Sequence, residues 1–195
     1  KGMVGRSLWH ALKSKGYTNL IGKTKDELNL INQLEVLDFY NSEKPDIVID
    51  AAAKVGGILA NKNNPYKFLM ENMQIQNNLI DGAFTSGVDK FIFLGSSCIY
   101  PKLSPQPIKE DFLLTDSLEP SNEGYAISKI TGVKACQYIK QLYKKDYISL
   151  MPTNLFGKYD NFDLESSHVI PAMIRKFHDA KKNNSPVQLW GDGNV

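Results

Sequence analysis

In the run Tyr125-Ala126-Ile127-Ser128-Lys129 a phenol and an ammonium stand four residues apart, a spacing that puts both on one face of a helix. Upstream, Ser96-Ser97-Cys98 adds two hydroxyls and a thiol. Together these groups suit proton transfer at a carbonyl. The nearby cation is expected to favour the phenolate form of Tyr125 and so to ease that transfer. In one mechanism Tyr125 gives a proton to a carbonyl oxygen while a reduced nicotinamide gives a hydride to the carbon. Lys129 lowers the cost of the phenolate and holds the nicotinamide ribose, and Ser96 hydrogen-bonds the same oxygen.

Two groups stay outside that scheme. Cys98 lies beside the serines, and a thiolate is a competent base where its surroundings support it. His168, in Ser166-Ser167-His168-Val169-Ile170-Pro171, precedes an apolar helical stretch with Met173, Ile174 and Phe177. Imidazole moves protons near neutral pH. Because a carbonyl acidifies the carbons beside it, two further acid/base groups could invert those carbons before reduction. Spacing alone leaves His168 open as a helix cap or a surface residue, and His10 and His178 read as ordinary helix-face residues. Cys136 reads as a small core residue on the Tyr125 helix, with both cysteines expected as free thiols.

The elements that must position these groups follow from the apolar pattern. The serines come directly after Lys90-Phe91-Ile92-Phe93-Leu94-Gly95, which reads as a buried strand running into a turn. Ligand sites in open α/β sheets gather at such strand ends. Further strands are expected at 17–21, 47–49, 147–151 and 186–190, separated by helices over 32–41, from Pro65 through Phe84, over 124–143 and after His168. An opening helix carries Val4, Leu8, Ala11 and Leu12 and closes at Gly16. The alternation predicts an α/β fold, a Rossmann-type doubly wound parallel sheet with helices on both faces. Both ends look cut, so the first strand and most of a C-terminal substrate domain are expected to be missing. Residues 1–163 are assigned to a cofactor-binding domain and 164–195 to the start of a substrate-binding region. Residues 101–123, with four prolines and mixed charges, break the rhythm and read as a lid or substrate loop.

The 195 residues carry a formal net charge of +2, and of the 23 basic residues only Arg6 and Arg175 are arginine. Scattered lysines argue against a nucleic-acid partner. No apolar run is long enough to span a membrane and no signal-peptide succession is present, so a cytoplasmic protein is expected. No metal site is assigned. Gly2 and Gly5 have the spacing of the last two glycines in a Gly-x-Gly-x-x-Gly or Gly-x-x-Gly-x-x-Gly turn, where the backbone must approach a pyrophosphate at a helix N-terminus. Past the second expected strand stand Gly22-Lys23-Thr24-Lys25, where an acid would mark the unphosphorylated nicotinamide cofactor. Lys25, with Lys1 beside the glycine turn, would welcome a 2′-phosphate; the other reading is solvated lysines, and Asp26 opposes the phosphate unless it caps the following turn.

The chain resembles the extended short-chain dehydrogenase/reductase family, and within it the GDP-keto-sugar epimerase-reductases. The resemblance runs through Lys1-Gly2-Met3-Val4-Gly5, Thr24-Lys25-Asp26-Glu27-Leu28-Asn29-Leu30 and Ala51-Ala52-Ala53-Lys54-Val55-Gly56-Gly57-Ile58. It continues through Phe93-Leu94-Gly95-Ser96-Ser97-Cys98-Ile99-Tyr100-Pro101, Met151-Pro152-Thr153-Asn154-Leu155-Phe156-Gly157 and Ser167-His168-Val169-Ile170-Pro171-Ala172. The Tyr-x-x-x-Lys pair marks the superfamily alone, whereas the Ser-Ser-Cys-Ile-Tyr-Pro and Ser-His-Val-Ile-Pro runs are far more specific. The resemblance implies that Ser96, Tyr125 and Lys129 reduce C4 of a GDP-linked 4-keto-6-deoxy-mannose with NADPH, and that Cys98 and His168 epimerise C3 and C5. It also implies a cofactor lining of Leu94, Gly95, Ser96, Ser97, Pro152, Thr153, Asn154 and Leu155, with Lys1, Gly2, Met3, Val4, Gly5, Lys25, Lys129 and His168 contributing. Lys176 and Trp190 would meet the nucleotide-sugar. The family often has arginine where this chain has Lys1, Lys25 and Lys176, and lysine keeps the charge but loses the fork geometry. A homodimer packed through the helices near 66–84 and 126–142 is the implied assembly.

Overall fold

The computed structural model describes residues 2–189. Lys1 and Trp190, both singled out above, lie outside the described residues. In chain order the elements are α1 (Met3–Ser14), α2 (Gln33–Glu43), β1 (Ile47–Asp50), α3 (Ile58–Asn63), α4 (Pro65–Thr85), β2 (Lys90–Leu94), α5 (Glu123–Tyr143), β3 (Asp146–Leu150) and α6 (Val169–Asn183). Local chemistry sets several of these boundaries. Asn32 caps α2 by accepting the Leu34 N–H at 3.1 Å, α4 starts on Pro65, and α1 gives way at Gly16, whose φ of 86° suits glycine.

The three strands are all parallel, in the order β1-β2-β3, with Asp50 opposite Phe93 and Leu94 opposite Leu150. Successive crossovers of one hand carry α4 and α5 onto the same face, where they pack against each other. Phe91, Phe93 and Tyr147 of the sheet meet Leu79, Ile80, Ile130 and Val133 of those helices, and Val36 and Tyr40 of α2 complete the core. The contact is tight enough to exclude side chains: a Cβ on Gly132 would run into the Phe93 ring, and one on Gly82 would stand 2.9 Å from the Tyr40 ring. Gln76 of α4 ties the helices further by donating to Ser128 O and to Thr131 Oγ1.

Three points add to or change the pattern expected from the sequence. Residues 17–21 and 186–189 are not strands, because a strand needs a ladder partner and among the described residues none pairs with either segment. α3 was not foreseen from the pattern; Asn61 sustains it by donating to Gly56 O at 2.8 Å and Gly57 O at 3.1 Å. Residues 101–123, expected as a lid or substrate loop, form a loop packed on the core. Lys102 pairs with Glu119 at 2.9 Å and its N–H donates to Ser117 O, while Leu113 and Leu118 rest on the core.

Candidate active site

β2 ends at Leu94 and the chain then crosses the tops of the strands. Gly95 N–H donates to Leu150 O at 2.8 Å and Ser97 N–H to Pro152 O at 3.2 Å, so the serine turn and the segment after β3 are fastened together. A Cβ on Gly95 would lie 2.7 Å from Met151 Sδ and 3.2 Å from Leu150 O, which reserves the position for glycine. Ser96 is extended and caps a single 3-10 turn, Ser97–Ile99, by accepting the Cys98 N–H. Its hydroxyl also lies 3.2 Å from Cys98 Sγ, to which it donates. Asn122, at the start of α5, donates to the same sulfur at 3.4 Å, and its Oδ1 is buried without a partner among the described residues.

Tyr125 and Lys129 follow on the first turns of α5 and face this turn. Lys129 is 3% exposed, donates from Nζ to Leu94 O at 2.8 Å, and stands 4.7 Å from the Phe93 ring centroid and 5.9 Å from that of Tyr125. The Tyr125 phenol is pushed up to about 12, first by burial and then by the charge of Cys98, with a hydrogen bond from Ser96 pulling the other way. The protonated phenol is therefore the resident form at neutral pH. The expected preference for phenolate is overturned because burial outweighs an ammonium that is turned to Leu94 O rather than to the phenol. Burial also draws the Lys129 ammonium down, against an opposing pull from Asp50.

Asp50, the residue directly after the expected strand 47–49, also lies at this end of the sheet and is not singled out by the sequence pattern. It is 4% exposed, its Oδ1 accepts the Ala52 N–H at 2.9 Å, and its Oδ2 is buried with no hydrogen-bond partner among the described residues. Burial pushes its carboxyl up to about 6, against the pull of Lys129 and of the Ala52 N–H. The available signal was an acid as the last residue of the apolar strand Ile47-Val48-Ile49.

The loop after β1 is held by its main chain. Asn72 of α4 accepts the Lys54 N–H at 2.7 Å and returns a hydrogen bond to Lys54 O at 3.0 Å. Further along, Gly57 N–H donates to Ser166 O at 3.1 Å, and a Cβ on Gly57 would stand 2.6 Å from Ser167 O. This contact settles the segment that leads into α6, where half-buried His168 is the N-cap residue. Its imidazole makes no hydrogen bond or ion pair among the described residues, and so is not joined to Cys98 or Tyr125. Lys176 donates to Gln188 O at 3.1 Å and lines a cleft of about 910 Å³ between α3 and α6.

The expected cofactor residues fall in two groups. Gly2 is the N-cap of α1 with no side-chain cap bond, no acid stands in the first turn, and a Cβ on Gly2 or Gly5 would meet nothing within 4 Å among the described residues. Free helix N–H groups beside open space suit a phosphate; Met3 and Val4 belong to the same turn. Across the strand ends, Leu94, Gly95, Ser96, Ser97 and Pro152 are brought together as described, and Thr153, Asn154 and Leu155 follow as an exposed run. Lys25 is exposed, while Lys23 is engaged by Glu43 at 2.8 Å.

Residues 1–195 match the NAD dependent epimerase/dehydratase family. A putative GDP-L-fucose synthase 2 of Arabidopsis thaliana is 54% identical over 194 residues, covering 99% of this chain and 59% of that protein. The chain thus spans about 60% of the length of curated relatives it matches. Among solved structures, a GDP-mannoheptose C4 reductase from Campylobacter jejuni with NADP bound is 38% identical with a TM-score of 0.86, covering 94% of this chain and 55% of that one. A GDP-L-fucose synthetase from Naegleria fowleri bound to NADP is 28% identical with a TM-score of 0.88, covering 98% and 63%. The match takes in the glycine turn, the strand ends and the Tyr125 helix alike, and the chain belongs to the NAD dependent epimerase/dehydratase family.

Proposed function

We propose that the full-length protein is an NADPH-dependent 3,5-epimerase-4-reductase that converts GDP-4-keto-6-deoxy-D-mannose to GDP-L-fucose. The observation that carries this reading is the 3.2 Å approach of Ser96 Oγ to Cys98 Sγ beside Tyr125, which lets one bound keto-sugar meet both a reducing and an inverting set of groups. NADPH, when bound, supplies the hydride. Its pyrophosphate fits the open N-terminus of α1 at Gly2 and Gly5, and the exposed charge of Lys25 fits a 2′-phosphate. The names and bound NADP of the relatives support the same assignment.

In this mechanism Cys98 takes a proton from a carbon next to the C4 carbonyl, and His168 returns one to the opposite face, at C3 and C5. Asn122 steadies the thiolate with its N–H. For reduction, the phenol of Tyr125 gives its proton to the C4 oxygen, to which Ser96 also donates. Lys129 uses one N–H on Leu94 O and keeps two for a ribose hydroxyl and for the charge left on Tyr125. Residues 1–163 serve as the cofactor-binding unit and 164–195 begin the substrate-binding region, where Lys176 and Trp190 meet the nucleotide. The protein works in the cytoplasm as a homodimer joined through α4 and α5.

A second reading, a C4 reductase that does not invert, is supported by the likeness to the GDP-mannoheptose C4 reductase, which is 38% identical. Full-length protein with GDP-4-keto-6-deoxy-mannose and NADPH decides the main proposal, since no NADPH consumption would overturn it. Uptake of solvent deuterium at C3 and C5 without cofactor separates the two readings. Cys98→Ser is expected to lose that exchange by about 100-fold and Tyr125→Phe to lose reduction by a similar factor. Equal losses of both activities in both variants would refute the division of labour.

A further inference from the structure

Asp50 and Lys129 come from different elements yet share one space. Asp50 is opposite Phe93 in the parallel register, and residues so paired point to the same face of a sheet. That face carries α5: Gly132 lies against the Phe93 ring, and Lys129, three residues earlier, holds its Nζ 4.7 Å from the ring centroid. The carboxylate therefore sits beside the ammonium on the floor of the site, without a direct ion pair. Its Oδ1 takes the Ala52 N–H, a bond that an asparagine would serve as well, while its Oδ2 is buried and accepts no hydrogen bond among the described residues, so the local backbone does not account for a charge here. A strand residue in this setting is ordinarily apolar.

We propose that Asp50 is a positioning residue of the reductive half of the site, a buried counter-charge that keeps Lys129 and Tyr125 in their proton-loaded forms. The proposal rests on the reading that these two residues carry reduction. The carboxylate attracts the Lys129 ammonium and repels a Tyr125 phenolate, so it raises the pH at which either group gives up its proton. Both effects have the same sign. The other groups that sense Asp50 are Cys136, also on α5, and Tyr40 on α2; both are buried and pushed up by desolvation, so they remain neutral across the working range. With its own carboxyl pushed up to about 6, Asp50 is charged above neutrality, where the effect is needed.

The test is Asp50→Asn in the full-length protein, since asparagine keeps an acceptor for the Ala52 N–H and removes only the charge. The alkaline limb of the pH profile for NADPH-dependent reduction should move down by about one unit. In the cofactor-free protein, the phenolate absorbance that Tyr125→Phe abolishes should titrate correspondingly lower, and Asp50→Glu should restore both. A lower rate with the limb and the phenol titration unmoved would reduce Asp50 to a packing residue and overturn the proposal. If Tyr125→Phe and Lys129→Ala keep full reduction, it is the underlying assignment of the pair that fails.

Discussion

Asp50 and Lys129 are the charged side chains named in the buried set of the described residues, and a buried charge costs stability that packing must offset. For Asp50 the sign is definite. Its carboxyl binds a proton more tightly in the fold, about 6 against 3.8, so stability falls as pH rises between those values and the whole penalty stands above them. Two units correspond to about 3 kcal/mol. Asp50→Asn should therefore melt at a higher temperature than the parent protein at pH 7.5, by the equivalent of about 1 to 2 kcal/mol because a buried amide keeps some desolvation cost, with the gap closing near pH 4. An unchanged or lower melting temperature at pH 7.5 would contradict this. Tyr125, Lys129, Ser96 and Cys98 were legible in the sequence because helical spacing and the end of an apolar strand are local patterns. Asp50 was not, since its role depends on the register of β1 against β2, and Asn122 was not, since it reaches Cys98 only after the loop of residues 101–123 folds back.

At the scale of elements, the glycines of α4 and α5 decide how near the helices lie to their neighbours. Gly132→Ala would press a methyl group into the Phe93 ring, and overpacking of this kind costs roughly 1 to 3 kcal/mol. Urea unfolding should show a lower midpoint at unchanged slope. Gly5→Ala is the control, because its Cβ would enter open space and alanine favours the helix; equal destabilisation by both would sink the argument. The three strands that pair, and the helices between them, were readable from apolar runs bounded by turn residues. The segment 17–21 has a similar composition yet remains unladdered, which shows that an apolar run states a capacity to pair and the available neighbour decides whether it does. α3 escaped because six residues hold too little periodicity to register.

For the whole molecule, the alternation of strand and helix was enough to give the parallel sheet, while the surface shows what the alternation cannot. Ile127, Tyr138 and Leu142 form an exposed apolar row on α5, with Leu142 71% exposed, and Tyr66 and Met70 extend the apolar surface on α4. Such a patch fits the proposed two-fold contact. Tyr138→Glu with Leu142→Glu in the full-length protein should shift its sedimentation from dimer to monomer; a mass unaffected by the pair, or a monomeric parent, would refute that assembly. No helix among the described residues is long and apolar enough to cross a membrane. The bracket between Asn72 and Lys54 has a different reach. Asn72 holds only the N–H and the carbonyl of residue 54, groups that every amino acid except proline presents alike. The path of the loop is thereby insulated from most side chains at position 54, so replacing Lys54 by any uncharged residue but proline would forfeit its 3.1 Å ion pair with Glu71 while leaving the course of the backbone in place.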